Sequence, residues 1–147
     1  MLVEPGAHEL RRQETVRLLL VEDSADDAEL IRTKLAKSER INVDVTHVDR
    51  LGKALERLSG DDFDVVLLDF SLPDSFGMET FRRAHAAAPR IPIIVLTSVS
   101  EKLGIGFSRE EVKTHYGHAP EAFLEKPFEP QSFLNTVKRV YRPRSSA

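Results

Sequence analysis

Three segments of this chain are aliphatic almost without a break: residues 16–21 (VRLLLV), 65–68 (VVLL) and 91–97 (IPIIVLT). A strand with one wet face alternates apolar and polar residues, whereas strands as apolar as these are covered on both faces. Between the runs the periodicity changes to that of a helix. Ala28, Ile31 and Leu35 mark a helix over about 25–38, and Leu51, Ala54, Leu55 and Leu58 mark a second, closed by Ser59-Gly60. Met78, Phe81, Ala84 and Ala88 give a third, stopped by Pro89, and Phe133, Val137, Val140 and Tyr141 line a last one preceded by Pro130. Residues 42–48 (NVDVTHV) alternate with a period of two and predict a strand with one wetter face; 121–125 (EAFLE) predict a short fifth strand. Strands alternating with helices, with apolar central strands, argue for a parallel α/β sheet covered on both faces. Pro92 is tolerable near the beginning of its strand. Residues 98–120 break the rhythm: Gly104 and Gly106 suggest a flexible loop, and Ser108 with Glu111 forms a capping box opening a short helix that ends near Gly117.

The 147 residues suit one domain with a sizeable core. The net charge of -3 does not draw the chain toward nucleic acid or an anionic membrane. The absence of cysteine excludes disulfides, thiolate catalysis and Cys-ligated zinc, and fits a reducing cytoplasm. No apolar run approaches the roughly 20 residues that span a bilayer. Residues 1–15 carry acidic residues, Pro and Gly where a signal peptide needs an apolar run, and are read as a polar N-terminal extension.

In an open parallel α/β sheet, ligands bind at the C-terminal strand ends. Here the predicted strands end in Glu22-Asp23, Asp69, Thr97-Ser98 and Glu125-Lys126-Pro127. Three carboxylates, a hydroxyl and a lysine therefore meet at one edge. Crowded carboxylates repel unless a cation joins them, and oxygen ligands without sulfur or paired imidazoles favour Mg²⁺. The chemistry that follows is phosphoryl transfer, with Asp69 placed as the nucleophile and Mg²⁺ held by Asp23 and Asp69 with help from Glu22. Lys126 and the Thr97 hydroxyl are placed to pair with phosphoryl oxygens.

At these residues the sequence resembles the response-regulator receiver domain of two-component signalling. LLLVEDS carries the acidic pair, VVLLDFSLPDSFG the phosphoacceptor strand and loop, IIVLTS the switch hydroxyl and FLEKPF the lysine. Each motif is short; the four in order, each closing a strand, make the likeness over 16–142. It implies a flavodoxin-like, doubly wound five-stranded parallel sheet of order 2-1-3-4-5. It further implies phosphorylation of Asp69, the Ser71 main-chain carbonyl as a third metal ligand, and Thr97 as the switch. Phe123 falls at the aromatic position that turns inward with it, and the bond between Lys126 and Pro127 is expected to be cis. Receivers place water for hydrolysis with the residues two beyond the phosphoacceptor and the switch. Here these are Ser71 and Val99, poorly suited to that task, so a long-lived phosphoryl group is expected. Residues 98–120 depart from the usual pattern on the surface that meets partners.

Other residues have plainer explanations. Asp26 and Asp27 belong to the first turn of a helix, where negative charge favours the macrodipole. His115 and His118 lack a third ligand and read as a solvated helix end. Lys138, Arg139, Arg142 and Arg144 complement a helix C-terminus rather than form a nucleic-acid patch.

The leading expectation is a stand-alone cytoplasmic receiver over 16–142 with a short tail, 143–147. It takes its phosphoryl group from a sensor histidine kinase or histidine phosphotransfer protein and signals to an unnamed downstream protein, as a monomer or weak homodimer. It is not a metabolic enzyme: it catalyses only its own phosphorylation and slow dephosphorylation. One alternative is a degenerate receiver that only binds partners. A weaker one is a small Mg²⁺-dependent phosphatase of the haloacid-dehalogenase kind, which needs a second Asp where Ser71 stands.

Overall fold

The aliphatic runs become neighbouring strands at the centre of one sheet. The computed structural model describes residues 15–37, 42–97, 120–125 and 130–140. In chain order these form β1 (Thr15–Val21), α1 (Ala25–Ala36), β2 (Asn42–Val48), α2 (Leu51–Gly60), β3 (Val65–Asp69), β4 (Ser71–Leu72), β5 (Ser75–Phe76), α3 (Met78–Ala87), β6 (Ile93–Thr97), β7 (Ala122–Glu125) and α4 (Pro130–Val140). The main sheet has five strands in the order β2-β1-β3-β6-β7, all pairs parallel. Counted among its own strands, that is the 2-1-3-4-5 order of a flavodoxin-like sheet. The antiparallel ribbon β4–β5 is an addition, where the sequence leads one to expect only a loop after the phosphoacceptor strand.

Side chains alternate across the sheet and feed two cores. On one face Leu18, Leu20, Val65, Leu67, Ile94 and Leu96 pack with Ala28, Ile31 and Leu35 of α1 and with Val137 and Val140 of α4. On the other, Leu19, Val21, Val66, Leu68 and Val95 pack with Leu51, Ala54 and Leu58 of α2 and with Met78, Phe81 and Ala84 of α3. Every residue of β3 and β6 is buried, as their unbroken apolar sequence requires. Among the described residues no helix is long and apolar enough to cross a membrane.

Local chemistry sets the helix ends. The Ser24 hydroxyl accepts the Asp27 N–H at 3.1 Å, capping α1, and Asp26 and Asp27 occupy its first turn as expected. Pro130 opens α4, a position where its missing N–H has no helical partner to lose. Ser59-Gly60 closes α2 as expected, with Gly60 the last helical residue and Asp61 the capping residue, in extended conformation. The Asp61 N–H bonds the Arg57 carbonyl at 2.9 Å and its carboxylate meets the Arg57 guanidinium at 2.6 Å, so the last turn is held without a left-handed glycine. The alternation of β2 fades: Asn42 and Asp44 are exposed, but Thr46 and His47 are both half-buried. The loop and short helix expected within 98–119, the side chain of Phe133, Tyr141, and the two terminal segments lie outside the described residues.

Candidate functional site

Three carboxylates converge at the C-terminal ends of β1 and β3. Glu22 follows β1, and its N–H bonds the Val48 carbonyl at 3.0 Å, carrying the β1–β2 ladder one step further. Its side chain is 1% exposed, with Oε2 accepting the Ser24 N–H at 3.2 Å. Asp23, exposed, stands in the bend between strand and helix cap. Asp69 ends β3 and is 2% exposed. Its Oδ1 accepts the Ser71 N–H at 3.1 Å, which orients the carboxylate. Phe70 behind it is fully buried; its N–H donates to Leu96 O at 3.1 Å and its carbonyl accepts the Gly77 N–H at 2.9 Å. The loop is thereby clamped at both ends. Carboxylate oxygens of Glu22, Asp23 and Asp69 lie within 4.8 Å of one another.

Two of these three carboxylates are buried, so their mutual repulsion is poorly screened by water. A donor set of carboxylate oxygens alone suits a hard divalent cation better than zinc or copper. Thr97, 2% exposed, ends β6; since Asp69 pairs with Leu96, Thr97 stands one step further along the adjacent strand. Ser71 is exposed and begins β4. Phe123 lies opposite Val95 in β7, half-buried against the α2–α3 core. Lys126, Pro127, Ser98 and Val99, like His115 and His118, fall outside the described residues. Glu125, which precedes Lys126, pairs with Thr97 across the ladder.

Two contacts around the site have no counterpart in the sequence reading. Asp74, at the tip of the ribbon, accepts the Leu51 N–H at 2.8 Å and the Gly52 N–H at 2.9 Å, and so caps α2, whose own capping residue Arg50 supplies no side-chain bond. Burial pushes the Asp74 carboxyl up, but the N–H bonds from Gly52, Leu51 and its own amide outweigh that and hold it below the usual carboxylate value. The second is His47, whose Nε2 lies 2.7 Å from the Glu22 main-chain oxygen. In sequence, an aspartate in a Pro-Asp turn and a histidine in an edge strand carry no mark of these partners, which are 23 and 25 residues away.

The sequence matches the family described as "Response regulator receiver domain" over residues 18–138. It is 33% identical over 127 residues to the cell cycle transcriptional regulator CtrA of Caulobacter vibrioides, covering 86% of this chain and 51% of that protein. The chain therefore spans about half the length of the curated relatives it matches. Among solved structures it resembles a response regulator receiver protein from Sinorhizobium medicae, with TM-score 0.65, 26% identity, and 86% and 94% of the two chains covered. The receiver domain of Francisella response regulator 1452 shares its fold, with TM-score 0.69 at 20% identity over 86% and 96% of the two chains. The matched span runs from the second half of β1 into α4 and contains all three carboxylates and Thr97, so the chain belongs to the response-regulator receiver domain family of two-component signalling.

Proposed function

We propose that this receiver is phosphorylated on Asp69 by a phosphohistidine of a sensor histidine kinase or histidine phosphotransfer protein, and passes the change of state to another protein by direct contact. The observation that carries the reading is the triad of carboxylates, two of them buried, with oxygens within 4.8 Å of one another. Glu22, Asp23, Asp69 and the Ser71 main-chain carbonyl would hold Mg²⁺, which when bound neutralises charge on the transferring oxygens.

The remaining work belongs to the chain itself. The Ser71 N–H holds one oxygen of Asp69, fixing the carboxylate as it meets the phosphorus. An Asp69 oxygen forms the new O–P bond while the P–N bond breaks and the imidazole leaves with its electron pair. Thr97 and Lys126 then pair with phosphoryl oxygens. Movement of the Thr97 hydroxyl toward the phosphoryl group would vacate space beside β7, and Phe123, half-buried one strand away, would fill it.

The test is intact mass after incubation with acetyl phosphate, with and without Mg²⁺, on the wild-type chain and Asp69→Asn. A Mg²⁺-dependent gain of one phosphoryl group, absent in Asp69→Asn, is expected. A folded wild type that gains nothing would overturn the reading and leave a receiver that acts only by binding partners.

A further inference from the structure

We propose that His47 is a positioning residue for the acidic pair, resting on the metal-dependent reading above: its ring N–H fixes the peptide that carries Asp23 and thereby sets how tightly the site holds a divalent cation. A main-chain carbonyl can only accept, so the 2.7 Å contact from Nε2 to the Glu22 oxygen requires the proton on Nε2. That carbonyl shares one rigid plane with the Asp23 N–H, so holding the oxygen also holds the backbone of Asp23.

Glu22 lies past the end of β1, where regular pairing has stopped. Both its main-chain groups are nevertheless tied to β2, the N–H to Val48 O at 3.0 Å and the carbonyl to His47. On the far side of Asp23, Ser24 is pinned as the cap of α1 through its hydroxyl and the Ala28 N–H on its carbonyl at 2.9 Å. Asp23 is thus an exposed carboxylate strung between two fixed peptides. Without the His47 bond the peptide between Glu22 and Asp23 loses the restraint on its carbonyl, and a bound cation has to order it at a cost in backbone entropy. His47 follows Val43 and Val45 in the alternation of β2, which turns its ring toward the α1 side of the sheet, where Val43 and Val45 pack.

The experiment titrates Mg²⁺, without phosphodonor, into the isotope-labelled full chain and into His47→Gln, His47→Phe and His47→Ala, reading the dissociation constant from amide shifts. Melting temperatures are taken in EDTA. Phe keeps a ring of similar volume without the donor; Gln keeps an N–H donor at similar reach. The expected result is Mg²⁺ binding weakened about tenfold in the Phe and Ala variants, as for other residues that orient metal ligands, with Gln staying close to wild type. Phe binding Mg²⁺ like wild type would overturn the proposal, as would all three variants weakening in step with a loss of melting temperature. If the wild-type chain shows no saturable Mg²⁺ shift, the metal-dependent reading itself fails and this inference with it, an outcome distinct from a normal wild type with a silent His47.

Discussion

Gly77 shows how much of the loop behind Asp69 depends on one backbone conformation. It stands before α3 at φ 74 and ψ -152, a region open almost only to glycine. A Cβ built there meets nothing within 4 Å, so the penalty of a side chain is purely one of backbone strain. Gly77→Ala is expected to lower stability by about 1–3 kcal/mol in urea unfolding. It should also reduce the proposed phosphorylation of Asp69 more than Gly60→Ala does, because the Gly77 N–H holds the Phe70 carbonyl next to Asp69. Gly60 gives the opposite sign. It ends α2, has nothing within 4 Å of its added Cβ and has no positive φ, so Gly60→Ala is expected to add roughly 0.5–1 kcal/mol. Equal effects at the two positions would show that the strain assigned to Gly77 is absent.

At the scale of elements, Asp74 joins two pieces that the chain order keeps apart, the β4–β5 ribbon and the N-terminus of α2. Loss of a helix cap costs about 1 kcal/mol, so Asp74→Ala should destabilise by that order at pH 7, and Asp74→Asn, which still accepts from the helix, by less. The acid limb gives a second check. The Asp74 carboxyl is held low in the folded state, so its charge-dependent contribution is fully present above the ordinary carboxylate value of 3.8 and is lost as pH falls through the lower folded value. Asp74→Asn should flatten the stability–pH curve in that acid window and leave it parallel to wild type near neutrality. The same pair of elements shows where the sequence is legible and where it is not. The strands and helices announce themselves because burying an apolar face demands a period of two or of 3.6. Glu22, Asp23, Asp69 and Thr97 are legible for the same reason: a polar residue that ends an aliphatic run must stand at a strand end. Asp74 and His47 act on backbone groups of other elements, and a contact between distant segments leaves no periodicity behind. His47 leaves only a faint trace, a polar residue where the alternation of β2 calls for an apolar one. Residues 98–119 show no regular period, and the loop and short helix expected there lie outside the described residues.

For the whole molecule, the topology has an energetic consequence at one end of the sheet. The parallel order brings β1 and β3 together, so Glu22 and Asp23 after β1 and Asp69 at the end of β3 set two buried carboxylates and one exposed one side by side. With no cation between them this arrangement opposes folding, because the unfolded chain separates the same charges in water. A cation that binds only the folded site adds RT ln(1 + [L]/Kd), about 2.7 kcal/mol at a hundredfold excess over its dissociation constant. For a domain of this size that raises the melting temperature by roughly 5–10 °C. Asp69→Asn separates the two effects, since it removes one of the repelling charges and one of the proposed cation ligands together. In EDTA the variant is expected to melt at or above the wild type, and with Mg²⁺ it is expected to gain much less. Wild-type and variant melting curves that respond equally to Mg²⁺ would mean that the ion stabilises the protein elsewhere and that the strand-end carboxylates are not its site. A variant that melts well below wild type in EDTA would mean that the bond from the Ser71 N–H to Asp69 outweighs the repulsion, so that the carboxylate helps to hold its own loop before any ion arrives.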